Sequence, residues 1–225
     1  MFCLLCVILI FIALFIIITQ YDEFRFGCWI IFVYILRMQN YGTIMNDPLF
    51  FRLPKTITLV GMMGVGKTSI GRILAKRLDV LFKDSDHEVE AAAKCSVADI
   101  YAWYGEKAFR DTERLVIKRL ISESPHILST GVEVFIQDDC RELLTENTVT
   151  VWLKASIDTI YPRVARRSHR PQLEQGNKKQ ILEQLIENYS PIYSTAHIHV
   201  NCDSQSAQHT AESIVLKVQS YLRNL

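Results

Sequence analysis

An excess of charge of either sign is the first thing missing from this 225-residue chain, in which 25 Lys and Arg face 24 Asp and Glu. So even a balance supplies no bulk electrostatic attraction to nucleic acid. Cysteines are few and scattered singly, at Cys3, Cys6, Cys28, Cys95, Cys140 and Cys202. Cys3 and Cys6 have C-x-x-C spacing, but they sit in an apolar run with no second pair, which argues against a metal or redox site. Unpaired cysteines in the body fit a reducing compartment. Internal repeats are missing, and so is any linker after residue 55. The length has room for one α/β domain and an appendage.

The appendage is the first 44 residues. Phe2 to Ile18 is an apolar run of 17 residues, and Phe26 to Leu36 is a shorter one containing Gly27 and Cys28. A spanning helix needs roughly 20 apolar residues with a lower limit of about 17, so only the first run qualifies. A secretory signal fits badly: no basic residue precedes the run, no A-x-A site follows it, and the first basic residue is Arg25. Three readings compete: a membrane anchor through residues 2–18, a targeting remnant, or a true start at Met45 preceded by sequence that is not normally coding. The Ile, Phe, Leu, Tyr and Asn bias of this segment favours the late start. Residues 45–225 hold 23 Lys and Arg and 22 Asp and Glu and read as a self-contained soluble, cytoplasmic domain.

Glycine is also scarce, at nine residues, and four of the nine fall between positions 61 and 71. Three of them belong to Gly61-Met62-Met63-Gly64-Val65-Gly66-Lys67-Thr68, which follows the apolar run Ile57-Thr58-Leu59-Val60 and leads into a helical pattern that contains Gly71 and reaches Leu78. This is G-x-x-x-x-G-K-[ST] in the strand–loop–helix setting the motif requires. Glycines let backbone N–H groups curl around phosphate oxygens, and the helix N-terminus adds its positive dipole end. The loop Gly64, Val65, Gly66, Lys67, Thr68 and Ser69 is therefore a nucleoside triphosphate cradle. In such loops Lys67 reaches the β- and γ-phosphates, and the Thr68 hydroxyl ligates Mg²⁺. The plain alternative is a glycine turn joining a strand to a helix.

After the lead-in of residues 45–55 and the strand at 56–60, the pattern continues with an apolar strand over 80–86 that ends in Asp84 and Asp86. A short helix is expected over 87–94, and then one over 97–104 with Ser96 and Asp99 at capping-box spacing. Gly105 ends that helix, and a long amphipathic one covers 106–123. Further strands are expected at 126–130, 148–154 and 198–202, and helices at 138–146, 157–166, 178–193 and 207–224. A polar, basic loop spans about 166–177. Five strands alternating with helices predict a parallel sheet covered on both faces.

Many functions use a P-loop fold, so the remaining polar positions must discriminate. Asp84 and Asp86 alternate at a strand end, where one can serve the metal and the other the attacking hydroxyl. A solvated strand end, or an N-cap for the next helix, is the alternative. An arginine early in a helix, such as Arg110, can clamp an anion bidentately; a surface ion pair to Glu106 or Glu113 is the alternative there.

Together the P-loop, Asp84-x-Asp86, Gly105-Glu106-x-x-Phe109-Arg110-x-x-Glu113, a strand ending at Gly131 and Arg170-Pro171 in a basic loop resemble the shikimate kinase family from about Lys55 to the C-terminus. The resemblance implies an α/β fold with a five-stranded parallel sheet flanked by helices, nucleoside-monophosphate-kinase-like. It implies ATP-dependent phosphorylation of the 3-hydroxyl of shikimate, a step of chorismate and aromatic amino acid biosynthesis. ATP and Mg²⁺ would be held by Gly64 to Ser69, with Thr68 on the metal and Asp84 supporting it through water. Asp86 would bond the acceptor's hydroxyls and help take the proton. Arg110, with Gly131, Val132 and the residue at 189, would bind the acceptor, and Arg170 would close with the lid over the phosphates. Lys67, Asp86 and Arg170 are thus the expected catalytic residues. The partner expected is a small molecule, shikimate or similar, with no nucleic acid, a membrane only through residues 1–44, and a monomeric protein.

Two stretches depart from the family pattern. Members carry three consecutive glycines where this chain reads Gly131-Val132-Glu133. Val132 is β-branched and poorly suited to positive φ, and Glu133 adds negative charge beside a pocket for a carboxylate. The family arginine two residues before Pro191 is Tyr189 here. Both departures fall on the acceptor side, which leaves a weakened shikimate kinase, a kinase for a different small hydroxylated acceptor, and a degenerate nucleotide-binding domain as the readings to separate.

Overall fold

A computed structural model describes residues 53–165 and 177–224. The hydrophobic segment over 1–44, most of the basic loop, and Arg170 lie outside these residues. The elements run β1 (Ile57–Val60), α1 (Lys67–Leu78), β2 (Phe82–Asp84), α2 (Ser85–Ala93), α3 (Val97–Ile121) and β3 (Ile127–Ser129), continuing with α4 (Asp138–Asn147), β4 (Val149–Lys154), α5 (Ile157–Ala165), α6 (Lys178–Tyr193), β5 (Ile198–Asn201) and α7 (Ala207–Arg223). The sheet has five strands in the order β2-β3-β1-β4-β5, and every pairing is parallel.

Strand β1 is central and buried along its whole length, as a near-continuous apolar run in a doubly covered parallel sheet should be. Its one polar residue, Thr58, is fully buried and donates to the Thr148 hydroxyl at 2.9 Å, so it is not left unsatisfied. Apolar side chains of α1 (Ile70, Leu74), α3 (Val116, Ile117, Leu120) and α7 (Ile214, Val215, Val218) are buried with the strands. Among the described residues no helix is long and apolar enough to cross a membrane.

The order places the site. From β1 the chain crosses to β2, returns to β3 beside β1, and then moves to β4 on the other side. The topology therefore reverses at β1 and β3. Open parallel sheets bind ligands in the crevice at the carboxyl ends of strands flanking such a reversal. The P-loop leaves the end of β1, Asp84 closes β2, and Thr130-Gly131 follow β3.

One expected boundary moves. Asp86 belongs to the first turn of α2 and not to the strand, because the Asp84 carboxylate accepts from the Asp86 N–H at 3.3 Å and starts the helix at Ser85. Position 84 thus combines strand end and N-cap, two roles the sequence left as alternatives. The expected break at Gly105 is present within α3, where that residue has φ +81° and ψ 173°. The reciprocal capping box between Ser96 and Asp99 is also formed.

Candidate active site

The P-loop closes tightly. Gly64 has φ +78°, and a Cβ there would lie 2.7 Å from Cγ2 of Val164, so both conformation and space require glycine. Helix α1 begins at Lys67, after Gly66, with no side-chain cap and no acid in its first turn. By contrast, α2, α3, α6 and α7 each have a capping side chain on a backbone N–H. The first-turn N–H groups of α1 and its dipole are thus directed at the cavity above the loop, a setting suited to phosphate. Lys67 Nζ bonds back to the carbonyls of Gly61 (2.6 Å) and Met62 (3.1 Å), which carries its charge over the same loop.

That cavity has a volume of about 390 Å³. Gly64, Val65, Gly66, Lys67, Thr68 and Ser69 line it, together with Asp84, Asp86, Gly131 and Val132. Predicted donor residues and both predicted acids therefore share one space. The Thr68 hydroxyl donates to Asp84 Oδ2 at 3.1 Å. A hydroxyl and a carboxylate side by side at the end of a phosphate cradle match the oxygen donors magnesium takes, since it commonly keeps several waters and binds one or two protein oxygens plus phosphates. These residues fit the ion.

Asp86 is set apart electrostatically. Burial raises its pKa above the usual carboxylate value, and the neighbouring Asp84 charge adds to this, with Lys67 opposing. Its Oδ1 lies 2.8 Å from where a Cβ on Gly131 would stand, and Glu113 Oε1 lies 3.2 Å from the same point. Gly131 is thus required by two carboxylates pressing on it. Its N–H donates to Ser85 Oγ at 2.9 Å, which ties the end of β3 to the start of α2. Glu113 is 2% exposed and accepts from Gln137 Nε2 at 2.7 Å, and burial pushes its pKa up to about 7.

Val132 does not carry the conformational penalty expected of it. Positive φ among the described non-glycine residues occurs at Asp79, Lys94 and Ser204, and Gly131 does not have it either. The chain passes this point in an ordinary conformation, held by Tyr193, whose hydroxyl donates to the Val132 carbonyl at 2.7 Å. Tyr193 is itself buried, with ring centroids 6.2 Å from Phe135 and 6.1 Å from Trp152.

Arg110 and Tyr189 do not line the nucleotide cavity. Arg110 borders a shallower groove with Glu106, Arg114, Gln137 and Asp139. It pairs with Glu106 one turn back on α3, and its Nη2 lies 4.0 Å from Glu133 Oε2. The alternative partner weighed from sequence, Glu113, turns instead to Gln137. Tyr189 packs edge-to-face on Tyr193 at 6.3 Å, and burial followed by the Glu133 charge raises its pKa.

Arg163 was missing from the sequence-derived set. On α5 it lines the cavity and donates to the carbonyls of Gly64 (3.2 Å) and Val65 (3.4 Å), bracing the P-loop from the far side. Cys202 and Gln205, between β5 and α7, and Ala207 and Thr210, in the first turn of α7, also line it. The rule that ligands bind at strand carboxyl ends could have pointed to the β5–α7 connection; no residue pattern singled out Arg163.

A phosphate cradle, a hydroxyl–carboxylate pair suited to a cation and a second carboxylate of raised pKa at the switch point of a five-stranded parallel sheet define a P-loop phosphotransferase of the nucleoside-monophosphate-kinase-like class. The model of the family described as Shikimate kinase matches residues 63–219. The shikimate kinase of Caulobacter vibrioides is 44% identical over 172 residues, covering 76% of this chain and 86% of that enzyme. That of Zymomonas mobilis is 42% identical over 163 residues, covering 72% and 93%. Among solved structures, shikimate kinase from Acinetobacter baumannii in complex with shikimate superposes with a TM-score of 0.70 at 34% identity, covering 74% of this chain and 93% of that one. The chain belongs to the shikimate kinase family, phosphotransferases with an alcohol acceptor.

Proposed function

We propose that this chain transfers the γ-phosphoryl group of ATP to the 3-hydroxyl of shikimate. The observation that carries the reading is the convergence of Lys67, the Thr68–Asp84 pair and Asp86 on one cavity, within a chain belonging to this family.

Chemically little is asked of the protein beyond alignment and charge stabilisation. The loop from Gly64 to Ser69 binds the phosphates through backbone N–H groups. Lys67 exchanges its carbonyl partners for phosphate oxygens and offsets charge on the transferring group. Thr68, with Asp84 supporting it through water, would hold magnesium, which would supply charge neutralisation to the phosphates. Asp86 orients the attacking hydroxyl, and its raised pKa suits it to accept the proton as the oxygen attacks. Arg110, Gly131, Val132 and Tyr189 are assigned to the acceptor, and Arg170 to lid closure over the phosphates. A small-molecule partner, a monomeric state, no nucleic acid partner, a cytoplasmic location and activity residing in residues 45–225 complete the reading.

The test is product detection by ³¹P NMR, with the full chain, ATP, Mg²⁺ and shikimate. A phosphomonoester resonance that requires shikimate and vanishes in Lys67→Ala supports the assignment. ATP binding with no such resonance rejects it, and leaves either a different acceptor or a nucleotide-binding domain without transfer activity.

A further inference from the structure

Three carboxylates lie near the residues assigned to the acceptor. Asp86 and Glu113 press on Gly131 from one direction. Glu133, two residues on, lies 4.0 Å from Arg110 Nη2, the nitrogen that Glu106 also engages. The reach of Glu133 is visible in its neighbours. Tyr101 on α3 and Tyr189 and Tyr193 on α6 have pKa values raised first by burial, with the Glu133 charge contributing to each. Glu133 thus lies near side chains of both α3 and α6 and beside Arg110. Its side chain is 25% exposed and that of Arg110 47%, so the pair is partly shielded from water.

A guanidinium carries five N–H donors, and Glu106 and Glu133 both approach the same one, Nη2, so an acceptor carboxylate reaching Arg110 meets a site whose positive charge is already partly offset. Glu106 is held beside Arg110 by helical i,i+4 spacing. Glu133 sits at the long edge of ion-pair distance, close enough for its charge to be felt at Arg110 without a tight contact. From this geometry we infer that Glu133 is a specificity-determining residue, an internal carboxylate that competes with the acceptor's carboxylate for Arg110. This rests on the acceptor being shikimate and on Arg110 facing it. The competition acts on acceptor binding alone: Glu133 does not line the nucleotide cavity, so ATP binding is insulated from it. Uncharged acceptors of the same shape do not contest Arg110 and are indifferent to Glu133.

Steady-state kinetics with the full chain tests this, using shikimate and its methyl ester, which keeps the hydroxyls and lacks the charge. Glu133→Gln is expected to lower KM for shikimate roughly three- to tenfold, as for release of a partly exposed charge contact. KM for ATP and KM for the ester stay at wild-type values. Glu133→Asp keeps the charge and the wild-type KM for shikimate, and Glu133→Gly repeats the Gln result without its side-chain packing. An equal fall in KM for acid and ester, or no fall in either neutral variant, overturns the inference while leaving the kinase assignment intact. ADP release that no acceptor stimulates, in wild type and variants alike, overturns the assignment itself and the competition with it.

Discussion

The two halves of the cavity are built to different standards of charge. On the donor side every group complements a polyanion: an uncapped helix start, Lys67 above the loop, Arg163 bracing it from α5, and a hydroxyl–carboxylate pair suited to magnesium. On the acceptor side Asp86 and Glu113 press on Gly131, and Arg110 is already shared between Glu106 and Glu133. Nucleotide recognition can therefore persist while the acceptor site drifts, because the cradle is made from backbone of one loop, whereas the residues proposed for the acceptor come from α2, α3, α6 and the β3–α4 connection.

The largest effect that would break the comparison is loss of the donor charge. Lys67→Ala should reduce kcat roughly a thousandfold whatever acceptor is offered, in line with removal of a preorganised charge-stabilising donor. If turnover survives, the donor half is not what it looks like. Gly131→Ala comes next. Its Cβ would stand 2.8 Å from Asp86 Oδ1, so the carboxylate must move, and kcat should fall roughly ten- to a hundredfold with KM for ATP little changed. Equal changes in both parameters would mean the halves are coupled through this residue. Asp84→Asn is expected to raise the magnesium concentration for half-maximal rate by about tenfold, read from a metal titration at fixed ATP.

The smallest prediction concerns stability. Glu113 has a folded-state pKa of about 7 against an ordinary value of 4.5. A carboxyl raised in this way favours the folded state fully below its unfolded pKa and loses that contribution as pH rises through the folded one. Between about pH 5 and pH 8 wild type should therefore lose up to about 3 kcal/mol relative to Glu113→Gln, which can still accept from Gln137. Thermal midpoints of the two proteins, compared at both pH values, measure it. A constant difference would show that Glu113 is not the strained carboxyl described here.

How much of this was legible in the sequence differs between the halves as well. The P-loop announces itself because phosphate binding needs glycine, lysine and a hydroxyl at fixed local spacing, and alternating apolar runs imply the parallel sheet. Asp86 was readable as a residue, but its place in a helix was not, since that turns on which N–H the Asp84 side chain accepts from. Arg110 pairs with Glu106 by helical spacing, which sequence shows, and with Glu133 across the fold, which it does not. Arg163 reaches the loop only because α5 packs against it. Val132 was read as a conformational misfit, yet its backbone is ordinary and Tyr193 supports it. The acceptor-side departure therefore rests on charge rather than on backbone strain.

Most direct is a pair of KM values, for ATP and for shikimate, in wild type and in the double variant Glu133→Gly with Tyr189→Arg. Removing the competing carboxylate and adding a guanidinium should lower KM for shikimate roughly ten- to a hundredfold, the scale of charge-assisted hydrogen bonds, and leave KM for ATP where it was. An unchanged KM for shikimate, or a parallel shift in both, would contradict a sound donor site joined to a charge-burdened acceptor site.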